Sequence, residues 1–268
     1  MKKRSHPLLG IHSFLMMAFI YVPIMIIIIF SVNDTKLSGN WEGFTLDWYV
    51  SLFNNRYVME ALMNSLTVAV VSTFFSTVLG TMAALSLRNI GKKGRNSMNG
   101  LLYLPVIIPD IIMGISLLVM FSSIGIESGK TTIIIAHITF SLSYVYVVVT
   151  ARLSNMGKQL EEAAHDLGAT RWQTFRHVTL PQISPGIIAG ALIAFTLSLD
   201  DFMISFFVAG PSSTTLPIYI YAQVKRGISP EINALCTLLI FVSVTLILLA
   251  QYFLNRGKGQ KKHKTLPI

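Results

Sequence analysis

Residues 155–181 read NMGKQLEEAAHDLGATRWQTFRHVTLP, and this stretch organises the chain on either side of it. Leu160, Ala163, Ala164 and Leu167 recur at three- and four-residue spacing and share one helical face. Gly168 can take the left-handed conformation that ends a short helix. Thr170 is suited to cap the next helix. Trp172, Phe175 and Val178 form a second apolar stripe, and Pro181 is expected to close the unit before another long apolar run begins. The pattern predicts two short amphipathic helices. Lying on lipid and docking into a protein groove both satisfy it, and composition alone does not separate them.

Outward from this loop the sequence is apolar and nearly free of charge. No Asp, Glu, Lys or Arg interrupts 131–151 before it, 61–87 or 232–255, or the stretch between Arg4 and Asp34. Two more apolar runs, Leu101–Ser123 and Ile183–Val208, are broken only by aspartates. A helix crossing the hydrocarbon core needs about 20 apolar residues, so the chain carries six expected spans. Its composition agrees: 53% of 268 residues are hydrophobic and 12% are charged, about half the charged share of a soluble domain. The first run has a basic start at Lys2, Lys3 and Arg4, but it is too long for a signal-peptide core and lacks a small-residue cleavage site. It reads as a retained helix.

Orientation follows from the basic residues. Sixteen of the 21 Lys and Arg residues fall in four regions: the N-terminus, Arg88–Arg95, Arg152–Arg176 and the tail from Arg256. The alternate loops hold only Lys36, Arg56, Lys130, Lys225 and Arg226. Both termini and the 155–181 loop are therefore expected on the cytoplasmic side. A net charge of +9 is explained by these flanks and does not call for nucleic acid. The outer loop 33–60 carries Trp41, Phe44, Trp48 and Tyr49, suited to the membrane interface or to an external partner.

The membrane charges are one-sided. Asp110, Asp200 and Asp201 lie in apolar runs, and no Lys or Arg does, so no internal salt bridge is expected to neutralise them. Intramembrane acids usually face a bundle interior or a wet cavity. Asp200 and Asp201 stand about 100° apart on a helix, so at most one points straight down a pore. Unpaired carboxylates suit a cationic solute. The alternative is hydrogen bonding to backbone at a helix break. His137 reads as a hydrogen-bonded packing residue, and Tyr144 and Tyr146 as packing. Gly129-Lys130-Thr131 is a near miss for a phosphate loop: Gly125 leaves three intervening residues where four are needed, and Ile124 stands where the glycine belongs. The single cysteine, Cys236, permits no internal disulfide.

Glu162-Ala163-Ala164, Gly168, Val178 and Leu180-Pro181 stand at the spacing of a known motif, with valine where isoleucine is usual. The stretch resembles the EAA loop of bacterial ABC importer permeases. That resemblance implies an all-α membrane fold of type I importer permease kind, with six transmembrane helices and both termini cytoplasmic, in the bacterial inner membrane. It also implies that Glu162, Ala163, Ala164, Gly168 and Pro181 couple to a separate ATPase. Phe195–Asp201, Gly210-Pro211, Leu216-Pro217, Gly227–Ala234 and Asn40–Tyr49 are in turn similar to the spermidine/putrescine import permeases of PotC type. From that likeness come the expected partners: a related second permease (PotB-like), an ATPase dimer (PotA-like), a periplasmic polyamine-binding protein (PotD-like) and membrane lipid. ATP and Mg would be bound by the ATPase, leaving this chain without a cofactor, a metal site or catalytic residues. Asp200, Asp201 and Asp110 would line the polyamine path.

The expected organisation is 1–60 for the first helix and outer loop, 61–254 for the permease core with its coupling loop at 155–181, and 255–268 for a basic tail. Three rivals stay open from the residues: an ABC permease for iron, thiamine or another small solute; a self-sufficient secondary transporter using the same aspartates; and a membrane enzyme, for which no convincing polar cluster is found.

Overall fold

The computed structural model describes residues 7–35, 40–88, 90–157, 159–227 and 229–256. Lys2, Lys3, Arg4, Lys36 and Lys158, and the tail with Lys258, Lys261, Lys262 and Lys264, lie outside the described residues. The described residues form helices joined by turns and loops, with one bridge between Asn33 and Phe44. In order the helices are α1 Pro7–Phe30, α2 Asp47–Asn54, α3 Arg56–Arg88, α4 Lys92–Ile107, α5 Asp110–Ser123, α6 Lys130–Asn155, α7 Gln159–Asp166 and α8 Arg171–Thr174. A π-helical turn, Phe175–Thr179, leads into α9 Leu180–Asp200, followed by α10 Met203–Val208, α11 Leu216–Arg226 and α12 Pro230–Arg256.

Five helical runs are long and apolar enough to cross a membrane: α1, α3, α6, Arg171–Asp200 and α12. The sixth expected span differs from a straight helix. Its run is split into α4 and α5, bent by 105°. Pro109 is the cause: it restricts the residue before it to extended backbone, and Ile108 sits at φ −69°, ψ 132°. Counted as one broken span, the pair brings the total to six.

Two further boundaries are corrected. Pro181 does not close the loop, because the helix runs on from Arg171 to Asp200. The missing proline N–H falls where the ladder changes from π to α register, with Leu180 N still bonded to Phe175 O. The fifth apolar run breaks at its aspartates: α9 stops at Asp200, Asp201 is extended (ψ 124°), and the chain resumes as α10.

The chain divides into two compact units, Met1–Met59 with Tyr219–Val242, and Glu60–Ile218 with Ser243–Ile268. In the larger unit α6 is the most buried span. Its outer half packs Ile133, Ala136 and Phe140 against Val68, Met113, Phe121, Ile204 and Val208. Its other half packs Val145, Tyr146, Val149 and Leu153 against Ala84, Leu87, Ile183 and Ala194. Small residues allow the approach: a Cβ on Gly80 would lie 2.9 Å from the Leu142 carbonyl oxygen, and one on Gly190 3.4 Å from Val145 Cα. Gly210 is tighter still, since a Cβ there would run into the Ser128 carbonyl oxygen.

In the smaller unit Asn33 is a hub. Its side chain donates to Asn40 O (2.7 Å) and accepts from Glu42 N (2.9 Å), while Trp48 Nε1 donates to its carbonyl (2.8 Å). Tyr49 bonds Ser31 at 2.8 Å. Trp48 and Tyr49 thus fasten the loop, whereas Trp41 and Phe44 are exposed. Asn55 ties the loop to α12 through Glu231 (2.9 Å).

Candidate functional site: a docking element and three membrane carboxylates

The loop forms as its residues dictate. α7 ends in a Schellman motif: Ala169 N bonds Ala164 O (3.0 Å), and Gly168 N bonds His165 O (2.9 Å). Gly168 carries the positive φ of 83° that this cap requires, with open space where a Cβ would stand. Thr170 caps α8, accepting from Gln173 N while Gln173 Oε1 accepts from Thr170 N (2.8 Å). Glu162, Ala163, Gly168 and Pro181 are exposed and Ala164 is half-buried.

The apolar face is left uncovered. Leu167 is 89% exposed, Trp172 66% and Leu160 49%. Trp172 stacks on Phe175 with centroids 5.6 Å apart. Ala164, Leu167, Gly168, Gln173, His177 and Val178 line a shallow groove of about 410 Å³ beside them.

A residue not singled out from the sequence holds this element to the membrane body. Glu161 accepts from Arg88 Nη1 at 2.8 Å and from Thr179 Oγ1 at 2.7 Å. Burial pulls its carboxyl upward, but the Arg88 and Thr179 hydrogen bonds and the Arg88 charge outweigh that and hold it below the usual glutamate range. Arg88 was legible as the lone cation ending a 27-residue uncharged run (61–87). Its pairing with Glu161, 73 positions away, was not. A second tie runs from Arg152 Nε to Gln182 O (3.0 Å).

The three aspartates have different surroundings. Asp201 is turned inward, its side chain 8% exposed, with Oδ2 3.3 Å from His137 Nε2. Ser205 N (2.8 Å) and Ile204 N (3.3 Å) donate to the same carboxylate, which thereby caps α10. His137 is fully buried, bonding Ser198 through Nδ1 (2.7 Å) and Ser205 through Nε2 (2.9 Å). Ser198 continues to Ser72 on α3 (3.1 Å). Asp201 therefore has an internal polar partner that counting only Lys and Arg overlooks, the His137 imidazole. Asp200 is exposed and accepts from Ser243 Oγ on α12 (3.0 and 3.1 Å). Asp110 opens α5 and is exposed. No Lys or Arg among the described residues pairs with either.

The other candidates fall into packing or capping roles. Tyr146 is buried against Tyr103 and donates its hydroxyl to Asn99. Tyr144 is half-buried against the α5–α6–α10 core. Gly129-Lys130-Thr131 starts α6, with Gly129 N bonded to Thr132 Oγ1 at 2.8 Å. Cys236 is partly buried. Among the described residues no group of three or more His, Cys, Asp or Glu is placed to hold a metal.

Residues 76–260 match the family of binding-protein-dependent transport system inner membrane components. The chain is 42% identical over 234 residues to the spermidine/putrescine transport system permease protein PotC of Escherichia coli K12, covering 87% of this chain and 89% of that one. It is 40% identical over 250 residues to the putrescine transport system permease protein PotI of the same strain, covering 91% and 89%. In structure it is similar to a chain of a bacterial ABC transporter that imports the acidic polysaccharide alginate, with a TM-score of 0.69, 21% identity and 96% of each chain covered. The chain belongs to the binding-protein-dependent transport system inner membrane components, as a multi-span, non-catalytic permease.

Proposed function

We propose that this permease carries polyamines, spermidine or putrescine, inward, driven by ATP hydrolysed on a separate ATPase that docks at 159–179. Two relatives about 40% identical over most of the chain are named for those solutes, and this similarity carries the reading. The exposed carboxylates of Asp200 and Asp110 support it, since a polycation exchanges hydration for charge-assisted hydrogen bonds there. Asp201 serves the path indirectly, by holding the α9–α10 break. The uncovered Leu160, Leu167 and Trp172 beside Glu162, Ala163, Ala164 and Gly168 favour a protein groove as the partner of the loop. Pro181, exposed at the second residue of α9, adjoins that surface in sequence. The exposed Trp41 and Phe44 suit a solute-loaded binding protein, and a related permease completes the pore. We keep 1–60, 61–254 and 255–268 as its functional divisions.

The test is uptake of labelled spermidine by the complete importer in proteoliposomes, with putrescine, iron and thiamine as competitors. Spermidine or putrescine should compete and the other two should not. Each charged hydrogen bond is worth about 1.5–3 kcal/mol, so Asp200→Asn or Asp110→Asn should lower uptake at limiting solute at least tenfold. Normal uptake by both variants would sink the path assignment. Uptake by this chain without the ATPase, abolished by an uncoupler, would sink the ABC mechanism.

A further inference from the structure

The docking element has an obvious route into the membrane, because α8 and the π turn run directly into α9. That route moves one span. α3 is another matter: no short connection joins it to the docking element, and among the described residues it meets the bundle within the membrane through packing and the Ser72–Ser198 bond. At its cytoplasmic end, however, Arg88 is gripped by Glu161, which is also gripped by Thr179. The three residues come from α3, α7 and the π turn, so the carboxylate is a three-way joint.

The geometry of the joint is specific. Glu161 and Glu162 are adjacent and point about 100° apart. Glu162 faces outward, and Glu161 is half-buried against the body. The wide π turn brings Thr179 round to the same carboxylate oxygen that Arg88 uses, Oε1. Arg88 and Glu161 also line an open cavity of about 560 Å³, so water and cytoplasmic protons reach the joint.

The far end of α3 is gripped as well. Asn64 Nδ2 donates to Thr214 O (3.0 Å), and Ser65 Oγ accepts from Leu216 N (2.8 Å). The stretch of α3 between these two grips, Asn64 to Arg88, is about 36 Å long at 1.5 Å per residue, and no proline interrupts it. A stiff rod gripped at two separated points transmits displacement along its axis.

We propose that Arg88, Glu161 and Thr179 form a clasp that couples the docking element to α3, making α3 a rod that carries ATP-driven movement to the 212–216 segment on the far side. This rests on the reading of 159–179 as the ATPase-docking element. Glu161 and Arg88 are positioning residues: they touch neither ATP nor solute.

The experiment places an environment-sensitive fluorophore at the far end of α3. Met63 is exposed there, so Met63→Cys is labelled in a Cys236→Ser background. The labelled permease is assembled with its partner permease and ATPase in nanodiscs, and the change on adding ATP is recorded. With an intact clasp, ATP should change the signal. Glu161→Gln and Arg88→Gln should co-purify with the ATPase as before yet lose at least five-sixths of that change. Thr179→Val, which removes one arm without touching the ion pair, should lose a smaller part. The reversal Arg88→Glu with Glu161→Arg should regain most of it, which general damage to the fold would not allow. Unchanged responses in Glu161→Gln and Arg88→Gln, with the ATPase bound, would overturn the clasp and leave the docking reading standing. No response to ATP in the intact chain with the ATPase bound would likewise overturn the clasp alone, and no ATPase binding would overturn the docking reading and the clasp with it.

Discussion

Replacing His137 by alanine should destabilise the permease more than its small volume suggests. The imidazole bonds Ser198 and Ser205 and sits 3.3 Å from the Asp201 carboxylate, in a region where His137 is fully buried and Asp201 nearly so. Removing a hydrogen-bond partner from a buried carboxylate costs about 1.5–3 kcal/mol, because the surviving group is left in a poor solvent. Here the surviving carboxylate keeps two backbone donors, Ser205 N and Ile204 N, but the imidazole's bonds to Ser198 and Ser205 are lost as well, which places the cost at about 3 kcal/mol. For a chain of this size each kcal/mol shifts the unfolding midpoint by about 2–4 °C, so the drop should be on the order of 8 °C. The second half of a double-mutant cycle isolates the charge. Asp201→Asn keeps the shape and an acceptor while removing the charge. In the His137→Ala background it should therefore cost far less than in the parent, with a coupling of about 2 kcal/mol. The assay is thermal unfolding of the purified permease in detergent, followed by tryptophan fluorescence and monodispersity. A midpoint within 2 °C of the parent for His137→Ala, or strict additivity in the double variant, would refute a stabilising contact between His137 and Asp201.

The loop and the packing make further predictions. Gly168→Ala should loosen the α7 cap by about 1–2 kcal/mol, since only the positive φ opposes a side chain there, and Gly168→Asn should cost less. Hydrogen exchange at the Ala169 and Gly168 amides reads this, with faster exchange in the alanine variant. Gly80→Val should fail to assemble or unfold at much lower temperature, because its Cβ would press on Leu142 O at 2.9 Å; Gly100→Ala, with nothing within 4 Å, should be neutral or slightly stabilising in the same unfolding assay. Glu161 makes stability depend on pH. Its folded-state pKa is lowered, so the stabilisation is present above the unfolded glutamate value, about 4.3, and is lost as pH falls through the lower folded value. Unfolding midpoints should therefore fall more steeply in that acid range for the parent than for Glu161→Gln, and identical slopes would contradict the Arg88 contact.

Much of the architecture was already legible as one-dimensional chemistry. Uncharged runs of span length, basic flanks on alternate loops, Gly168 before Thr170, and the Glu162–Pro181 spacing all depend on residues close together in the chain. Solvent transfer energies and local backbone conformation decide such features, and both are local. Even so, Pro109 turned a single apolar run into a 105° bend, and Asp201 broke another, although both residues were in plain view. Length and hydropathy register how apolar a run is, not where its backbone hydrogen bonds stop.

What needed the tertiary structure was partnership across distance. Asp110, Asp200 and Asp201 look alike along the chain, yet only Asp201 meets a buried histidine 64 residues earlier, while Asp200 meets Ser243 and stays exposed. Glu161 and Glu162 are the same residue side by side. The motif pointed to the outward one, and folding assigned the inward one to Arg88 and Thr179. An acid's role depends on what neutralises it, and in a bundle of helices that neighbour is set by packing between segments far apart in sequence, which no local pattern encodes.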